Sequence, residues 1–321
     1  MEVSKKLQRI IIFVLVMVLA ITGYILATDH QSQAGQPTPS ASQSNVIEYQ
    51  GKRYRYNTDL MNILFIGVDS TNLIQTDNLA SNTNQADSII LISLNKSTKE
   101  ANLLQVSRNS MVDITQYDIY GEPSRTSFAQ LALQYSTAKG GAQSCWAMVD
   151  TVSTMLSDLR IDGYINLNIE AIGKINELAG PVTITIPEDY TDVDPAFVKG
   201  ATITLSDGQA EAYVRHRDIE GIGSNQERMA RQIQYIEALV ATVRSKGDID
   251  SIYDMFAPLL DKYLLTNMTG DQIDELADYN LSGNGYESVP GETTMGNTYE
   301  EFYINYDKLD DILIKMFYNE L

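Results

Sequence analysis

The chain is poor in residues on which much enzyme chemistry depends. Its 321 residues include one cysteine, Cys145, and two histidines, His30 and His216. A single cysteine excludes an intrachain disulfide and any zinc site built from several thiolates. As a nucleophile Cys145 has no evident histidine beside it, since His30 falls in a polar N-terminal stretch and His216 among arginines far downstream. Basic residues are scarce too: 23 Lys and Arg stand against 42 Asp and Glu, a formal charge of −19. Such a surface repels nucleic acid, which argues against a DNA- or RNA-binding role. There is no internal repeat, P-loop, G-x-S-x-G elbow or H-E-x-x-H stretch. The length allows one large domain or two small ones.

Ile10–Ala27 is apolar except for Thr22, Gly23 and Tyr24, with Lys5, Lys6 and Arg9 before it. At about 18 residues it just suffices to span a bilayer. A cleaved signal peptide is the competing reading, but its apolar run is usually ~7–15 residues and no clear A-x-A site follows. The flanking positive charge keeps the short tail cytoplasmic and sends the rest outside. Thr28–Asn45 is rich in Ser, Gln, Pro and Ala and reads as a flexible stalk. The expected organisation is a cytoplasmic tail at 1–9, a transmembrane anchor at 10–27, a stalk and linker at 28–56, and an extracellular domain at 57–321.

Within Ile47–Tyr56 the alternation suggests a short hairpin around Gly51, whose Lys52, Arg53 and Arg55 either meet anionic headgroups or form a solvated face. Asn62–Val68 is a continuous apolar run, as expected of a buried central strand, and it ends at Asp69. Ser70–Gln85 has no periodicity and reads as a loop. Ala86–Leu94 and Glu100–Val106 read as antiparallel strands turning near Ser97, which puts Asp87 opposite Ser107 and next to Arg108. If the strand ending at Asp69 runs parallel to the one ending near Arg108, then Asp69, Asp87 and Arg108 share one edge of the sheet. Ligands of open α/β sheets bind at such edges. Two carboxylates and an arginine there suit a divalent cation with a phosphate, although a lone Asp at a strand end more often caps a turn.

Further on, Tyr120–Ser127 reads as a turn presenting Arg125. Gly140 and Gly141 precede a helix carrying Trp146, Val149, Val152 and Leu156 at core spacing. Tyr164–Leu167 and Val182–Ile186 are expected strands, with a helix at Ile169–Leu178 between them. Ser206–Ala212 suggests a short helix. Ile249–Tyr263 and Asp271–Tyr279 are amphipathic, the second capped by Thr269. Tyr299–Tyr306 is an expected edge strand, and Asp307–Phe317 a helix with Leu309, Ile312, Leu313 and Met316 on one face.

Ala212–Tyr235 gathers four arginines in this otherwise acidic chain. If Tyr213–Arg217 is extended, Arg215 and Arg217 point the same way and His216 the other. Ser224 and Glu227 have capping-box spacing, so a helix begins there with Arg228, Arg231, Gln232 and Tyr235 on one face. Met229, Ile233, Ile236, Val240 and Val243 form a neighbouring apolar stripe expected to face the core. Surface ion pairs are the bland explanation of any single arginine. The cluster favours bidentate capture of an anion, because four guanidiniums in one segment repel unless an anion sits among them.

The series NILFIGVDS at Asn62, QADSIILISL at Gln85, LLQVSRNSMVDI at Leu103, YINLNIEAI at Tyr164, YVRHR at Tyr213 and RMARQ at Arg228 resembles the LytR-CpsA-Psr family of cell-envelope proteins. The likeness covers residues 57 to 321. It implies an α/β/α sandwich with a central mixed sheet and an apolar pocket for a polyprenyl chain. It also implies magnesium-dependent transfer of a phosphate-linked glycopolymer from undecaprenyl pyrophosphate to peptidoglycan, with manganese as an alternative ion. By this resemblance Asp69 and Asp87 are the metal-contacting carboxylates. Arg108, Arg215 and Arg217 bind the pyrophosphate, and Arg125, Arg228, Arg231 and Gln232 support the site. Gln85 stands in the substrate site where an arginine is common, Asn109 where Arg-Asp is common, Asn225 where an aspartate is common, and Pro181 interrupts a frequent Gly-Gly-Val.

Overall fold

The computed structural model describes residues 46–68, 84–168, 171–180, 182–216, 224–245, 263–269, 272, 275–276 and 279–321. The expected anchor and all but the last two residues of the expected Ser70–Gln85 loop lie outside them. Among the described residues no helix is long and apolar enough to cross a membrane.

In chain order the elements are β1 (Val46–Tyr49), β2 (Lys52–Tyr56), β3 (Leu60–Val68), β4 (Ala86–Asn95), β5 (Glu100–Val106), β6 (Met111–Tyr117), β7 (Pro123–Gln130), a 3-10 helix (Leu131–Thr137), α1 (Gly141–Met155), β8 (Gly163–Asn168), α2 (Ala171–Ala179), β9 (Thr183–Thr185), β10 (Thr202–Thr204), α3 (Asp207–Arg215), α4 (Ser224–Arg244), β11 (Leu264–Thr266), β12 (Asn280–Ser288), β13 (Gly291–Met295), β14 (Glu300–Ile304), α5 (Tyr306–Phe317) and β15 (Tyr318–Glu320). Six strands build the central sheet in the order β11-β8-β3-β4-β5-β12. It is mixed: β3–β8 and β5–β12 pair parallel, while β3–β4, β4–β5 and β8–β11 pair antiparallel.

Side-chain alternation splits the strands between two cores. Met61, Ile63 and Phe65 of β3 enter one core with Ile175 of α2, Tyr213 of α3 and Tyr235 and Leu239 of α4. Leu60, Leu64, Ile66 and Val68 enter the other with Leu131 of the 3-10 helix, Val149 and Val152 of α1 and Leu309 and Leu313 of α5. Helices cover both faces, which is why all nine residues of β3 are buried and the strand reads as one apolar run. The result is the expected α/β/α sandwich.

The β4–β5 register differs from the expected one by a single residue. Asn95 pairs with Glu100 and Ile89 with Val106, so the turn is centred between Ser97 and Thr98. Continuing that ladder sets Asp87 against Arg108 itself rather than Ser107. Val68 pairs with Ala86, so the carboxyl ends of β3 and β5 and the amino end of β4 do lie along one edge.

The hairpin at 46–56 forms around Gln50 (φ 50°) and Gly51 (φ 74°), two left-handed residues as a tight hairpin turn requires. It is not part of the stalk. β2 pairs with β15, and the Tyr49 hydroxyl donates to Asp311 Oδ1 at 2.9 Å, so the folded domain includes residues 46–56. The Thr269 cap forms as expected: Thr269 N donates to Gln272 Oε1 and Gln272 N to Thr269 Oγ1. Ile249–Tyr263 lies almost wholly outside the described residues.

Val149, Val152 and Leu156 are buried under the sheet, and Trp146 packs half-buried, edge-on against Tyr164 at 5.5 Å. Cys145 beside them is fully buried and accepts a hydrogen bond from Asn166 Nδ2 at 3.2 Å. Burial pushes its thiol up to about 12. At pH 8 that leaves about a thousandfold less thiolate than a free cysteine carries. A maleimide is therefore expected to label Cys145 only after denaturation; rapid labelling of the native protein would contradict the buried position.

Candidate anion-binding site

Arg108 follows β5 and Asp87 is the second residue of β4, so the sheet edge brings them face to face. Arg108 Nη1 donates to Asp87 Oδ1 and its Nη2 to Gln85 Oε1. At the other carboxylate oxygen Arg228 of α4 donates through Nη1 to Asp87 Oδ2 at 3.4 Å, and through Nη2 to the Asp87 carbonyl at 3.3 Å. One carboxylate thus lies between two guanidiniums. The Asp87 and Arg108 side chains are each 12% exposed and that of Arg228 4%. At such burial these charge-assisted bonds hold the guanidiniums in fixed planes.

α3 corrects the expectation of an extended Tyr213–Arg217. A capping box begins it, with Gln209 N donating to Ser206 Oγ and Ser206 N to Gln209 Oε1, and the helix persists to Arg215 because Ala210, Tyr213 and Val214 bury one face. His216 is the C-cap, so Arg215 projects from the last turn, where its Nη1 donates to Glu211 Oε1 at 2.6 Å. Arg217 and Asp69 fall outside the described residues.

Helix α4 starts at Ser224, as its S-x-x-E spacing predicts, but it buries its polar stripe. Arg228, Arg231, Gln232 and Tyr235 are all at most 5% exposed, and Ile233 of the expected core stripe, half-buried, packs against the core. The reason is the end of α3, whose last carbonyls lack intrahelical partners. Arg231 Nε donates to the Tyr213 carbonyl at 3.1 Å and Nη2 to that of His216, while Gln232 Nε2 reaches the Val214 carbonyl at 3.4 Å. The Arg231 guanidinium also lies over the Tyr190 ring, 4.6 Å from its centroid. Arg231 and Gln232, expected at the substrate, cap α3 in this structure. Arg228 and Arg231 are three residues apart, about 4.5 Å along the helix axis. One helix therefore grips the Asp87–Arg108 pair with one turn and the end of α3 with the next.

A sequence model of the LytR_cpsA_psr family matches residues 17–317. The chain belongs to this family. Among its relatives, the Polyisoprenyl-teichoic acid–peptidoglycan teichoic acid transferase TagU of Bacillus licheniformis is 28% identical over 217 residues. That match spans 68% of this chain and 63% of TagU, so the chain corresponds to somewhat less than two thirds of that relative. The crystal structure of B. subtilis TagV superposes with a TM-score of 0.59 at 20% identity, covering 81% of this chain and 96% of that one. The structure of TagT bound to LIIa-WTA superposes with a TM-score of 0.56 at 21% identity, covering 81% of this chain and 90% of that one. These structures share the mixed sheet and its flanking helices.

Arg125 departs from what the family resemblance implied. The turn is at Asp118–Glu122, and Arg125 lies in β7 opposite Gln116, exposed, with Nε donating to Gln116 Oε1 at 2.6 Å. It is five residues up the strand from Gln130, the end nearest Arg108, or about 17 Å. The structure does not bring it to the cluster.

Of the two carboxylates expected at the metal, Asp87 is described. Among the described residues no three of His, Cys, Asp and Glu converge as a ligand set. Asp87 still fits a hard cation, since among the described residues Oδ2 receives only the long 3.4 Å contact from Arg228, which leaves lone pairs for a metal.

Tyr190 and Glu300 were missed by sequence reasoning. Nothing in its spacing marks Tyr190 as the ring under Arg231. Glu300 had a signal: strand alternation puts it on the same face as Phe302 and Ile304, a carboxylate at an inward position.

Proposed function

We propose that this chain is a membrane-anchored transferase of the cell envelope that moves a phosphate-linked glycopolymer from a polyprenyl pyrophosphate carrier, such as undecaprenyl pyrophosphate, to peptidoglycan. The observation that carries this reading is the buried Arg108–Asp87–Arg228 cluster at the sheet edge, whose Arg228 comes from the helix that secures the end of α3. Family membership and the TagU, TagV and TagT relatives support it, as does the apolar N-terminal segment with its cytoplasmic-side lysines.

In this reading the donor's pyrophosphate lies against Arg108, Arg228 and the arginines at and beyond the end of α3. A sugar hydroxyl of the acceptor attacks the glycan-side phosphorus. A new O–P bond forms, the pyrophosphate bridge breaks, and polyprenyl phosphate leaves, with the hydroxyl proton passing to the departing phosphate or to water. Charge accumulates on phosphate oxygens, and preorganised guanidiniums stabilise it without a protein nucleophile. Magnesium, or manganese in its place, would be held by Asp87 and Asp69 together with phosphate oxygens, and would supply further charge neutralisation. Two guanidiniums beside Asp87 repel a bare cation, so the metal is expected to bind with the pyrophosphate rather than before it.

The test uses the full-length protein in vesicles with a polyprenyl-pyrophosphate-linked glycan and a peptidoglycan acceptor. Expected are glycan coupled to peptidoglycan, loss of coupling on chelation, and loss in both Arg215→Ala and Arg217→Ala. Magnesium titrated by calorimetry should bind tightly only when pyrophosphate is present. Unchanged turnover in both arginine variants overturns the placement of the donor's pyrophosphate against the arginines at and beyond the end of α3. Because Gln85, an amide, occupies one arm of Arg108, a second reading is a lipid-pyrophosphate-binding protein without transfer. Tight donor binding with no product at saturating magnesium would favour it, and release of phosphate without coupling would indicate a polyprenyl pyrophosphatase.

A further inference from the structure

The segment that presents Arg108 has every backbone carbonyl engaged, and by several different elements. Ser107 O accepts from Ser110 N at 3.1 Å, Arg108 O from Ala132 N at 2.9 Å, Asn109 O from Phe302 N at 2.9 Å, and Ser110 O from Leu131 N at 2.8 Å. The 3-10 helix and the β13–β14 hairpin thus pin the turn from two sides. Their grip extends to side chains. Asn109, 1% exposed, donates through Nδ2 to Glu300 Oε2 at 3.2 Å, and Gln130 Nε2 bridges the Glu300 carbonyl at 2.6 Å and Asn109 Oδ1 at 3.4 Å.

Glu300 is only 3% exposed. A buried carboxylate costs desolvation free energy that a glutamine would largely avoid while still offering Asn109 an acceptor. What the charge adds is a stronger, more directional bond. On the outward side of the same strand Tyr303 is exposed, so the hairpin reaches the Arg108 turn through its inward face, which Glu300 shares with Phe302.

We infer that Glu300, with Gln130, is a positioning residue: it locks Asn109 and so fixes the direction in which Arg108 offers its guanidinium to the pyrophosphate. This assignment rests on the reading that Arg108 contacts pyrophosphate. Neither residue touches the ligand. Each acts through Asn109 on its neighbour.

A double-mutant cycle separates this from general loosening of the fold. Inorganic pyrophosphate binding to the full-length protein in detergent is measured by calorimetry, well below each variant's Tm. Loss of a residue that orients a ligand-binding group typically weakens function about tenfold or more. Glu300→Ala is accordingly expected to weaken pyrophosphate about tenfold in the wild-type background but less than about twofold in an Arg108→Ala background. Glu300→Gln should restore affinity to within about threefold, because it keeps the acceptor. Gln130→Ala, which leaves the buried carboxylate in place, should show the same dependence on Arg108 with little change in Tm. Equal losses with and without Arg108 overturn the assignment. Binding that needs Arg108 but neither Glu300 nor Gln130 strikes this assignment alone. Failure of the wild-type protein to bind pyrophosphate, or wild-type affinity in Arg108→Ala, strikes the proposed function and this assignment with it.

Discussion

Alanine at position 108 is expected to reduce glycan transfer from the polyprenyl pyrophosphate donor by about a hundred- to a thousandfold, the scale of losing one preorganised donor to developing negative charge. Arg108 uses one guanidinium arm on Asp87 and another on Gln85. That fork fixes its plane and leaves its remaining face directed by the turn at 107–110. Lysine cannot reproduce two divergent bonds from one ammonium, so Arg108→Lys should recover little of the rate. Steady-state kinetics with separated kcat and KM check this. Full recovery by lysine would mean that position 108 supplies charge alone, without orientation.

Arg231→Met is expected to cost stability first and activity second. The substitution strands two carbonyls at the end of α3 and removes the cation over Tyr190, for a loss of roughly 3 kcal/mol. At about 2–4 °C per kcal/mol for a domain of this size class, Tm should fall by roughly 6–12 °C. Transfer falls because the end of α3 is no longer held beside Arg228, and the loss should shrink as temperature is lowered. Thermal unfolding followed in parallel with transfer makes the distinction. A variant with wild-type Tm and no transfer would place Arg231 on the substrate instead of under α3.

The central strand was legible because burial on both faces writes itself into the sequence as a continuous apolar run at Asn62–Val68, and the β-rich runs at Ala86–Leu94 and Glu100–Val106 marked its neighbours. The edge shared by Asp87 and Arg108 followed from counting residues about the NKSTK turn. The count missed by one, since composition does not reveal whether Ser97 or the bond after it is the centre, and the observed register pairs the two charges directly. Helical periodicity located α4 and a core stripe of which Ile233 packs against the core, but it did not reveal that the polar stripe is buried too. Hydrophobic stripes indicate the core only where the neighbour is apolar, and here the neighbour is the open end of α3, whose carbonyls call for Arg231 and Gln232. The same unrecognised helix end made Tyr213–Arg215 look extended. Arg125 was misplaced because Gly121 and Pro123 suggest a longer turn than the one that forms, and the arginine follows them into a strand. Glu300 was readable from strand alternation, but its partner Asn109 is too distant in sequence to suggest the pairing.

The pairing of β15 with β2 sets a timetable for the nascent chain. Tyr49 and Asp311, which meet beside that pairing, are separated by 262 residues. At ~5–20 residues per second a ribosome delivers the second of them roughly 13–50 s after the first. Through that interval the 46–56 hairpin has no third strand, and two strands alone are marginal in water. A product broken off before Tyr318 would keep that border open indefinitely, offering unpaired amides and carbonyls to any other extended chain nearby.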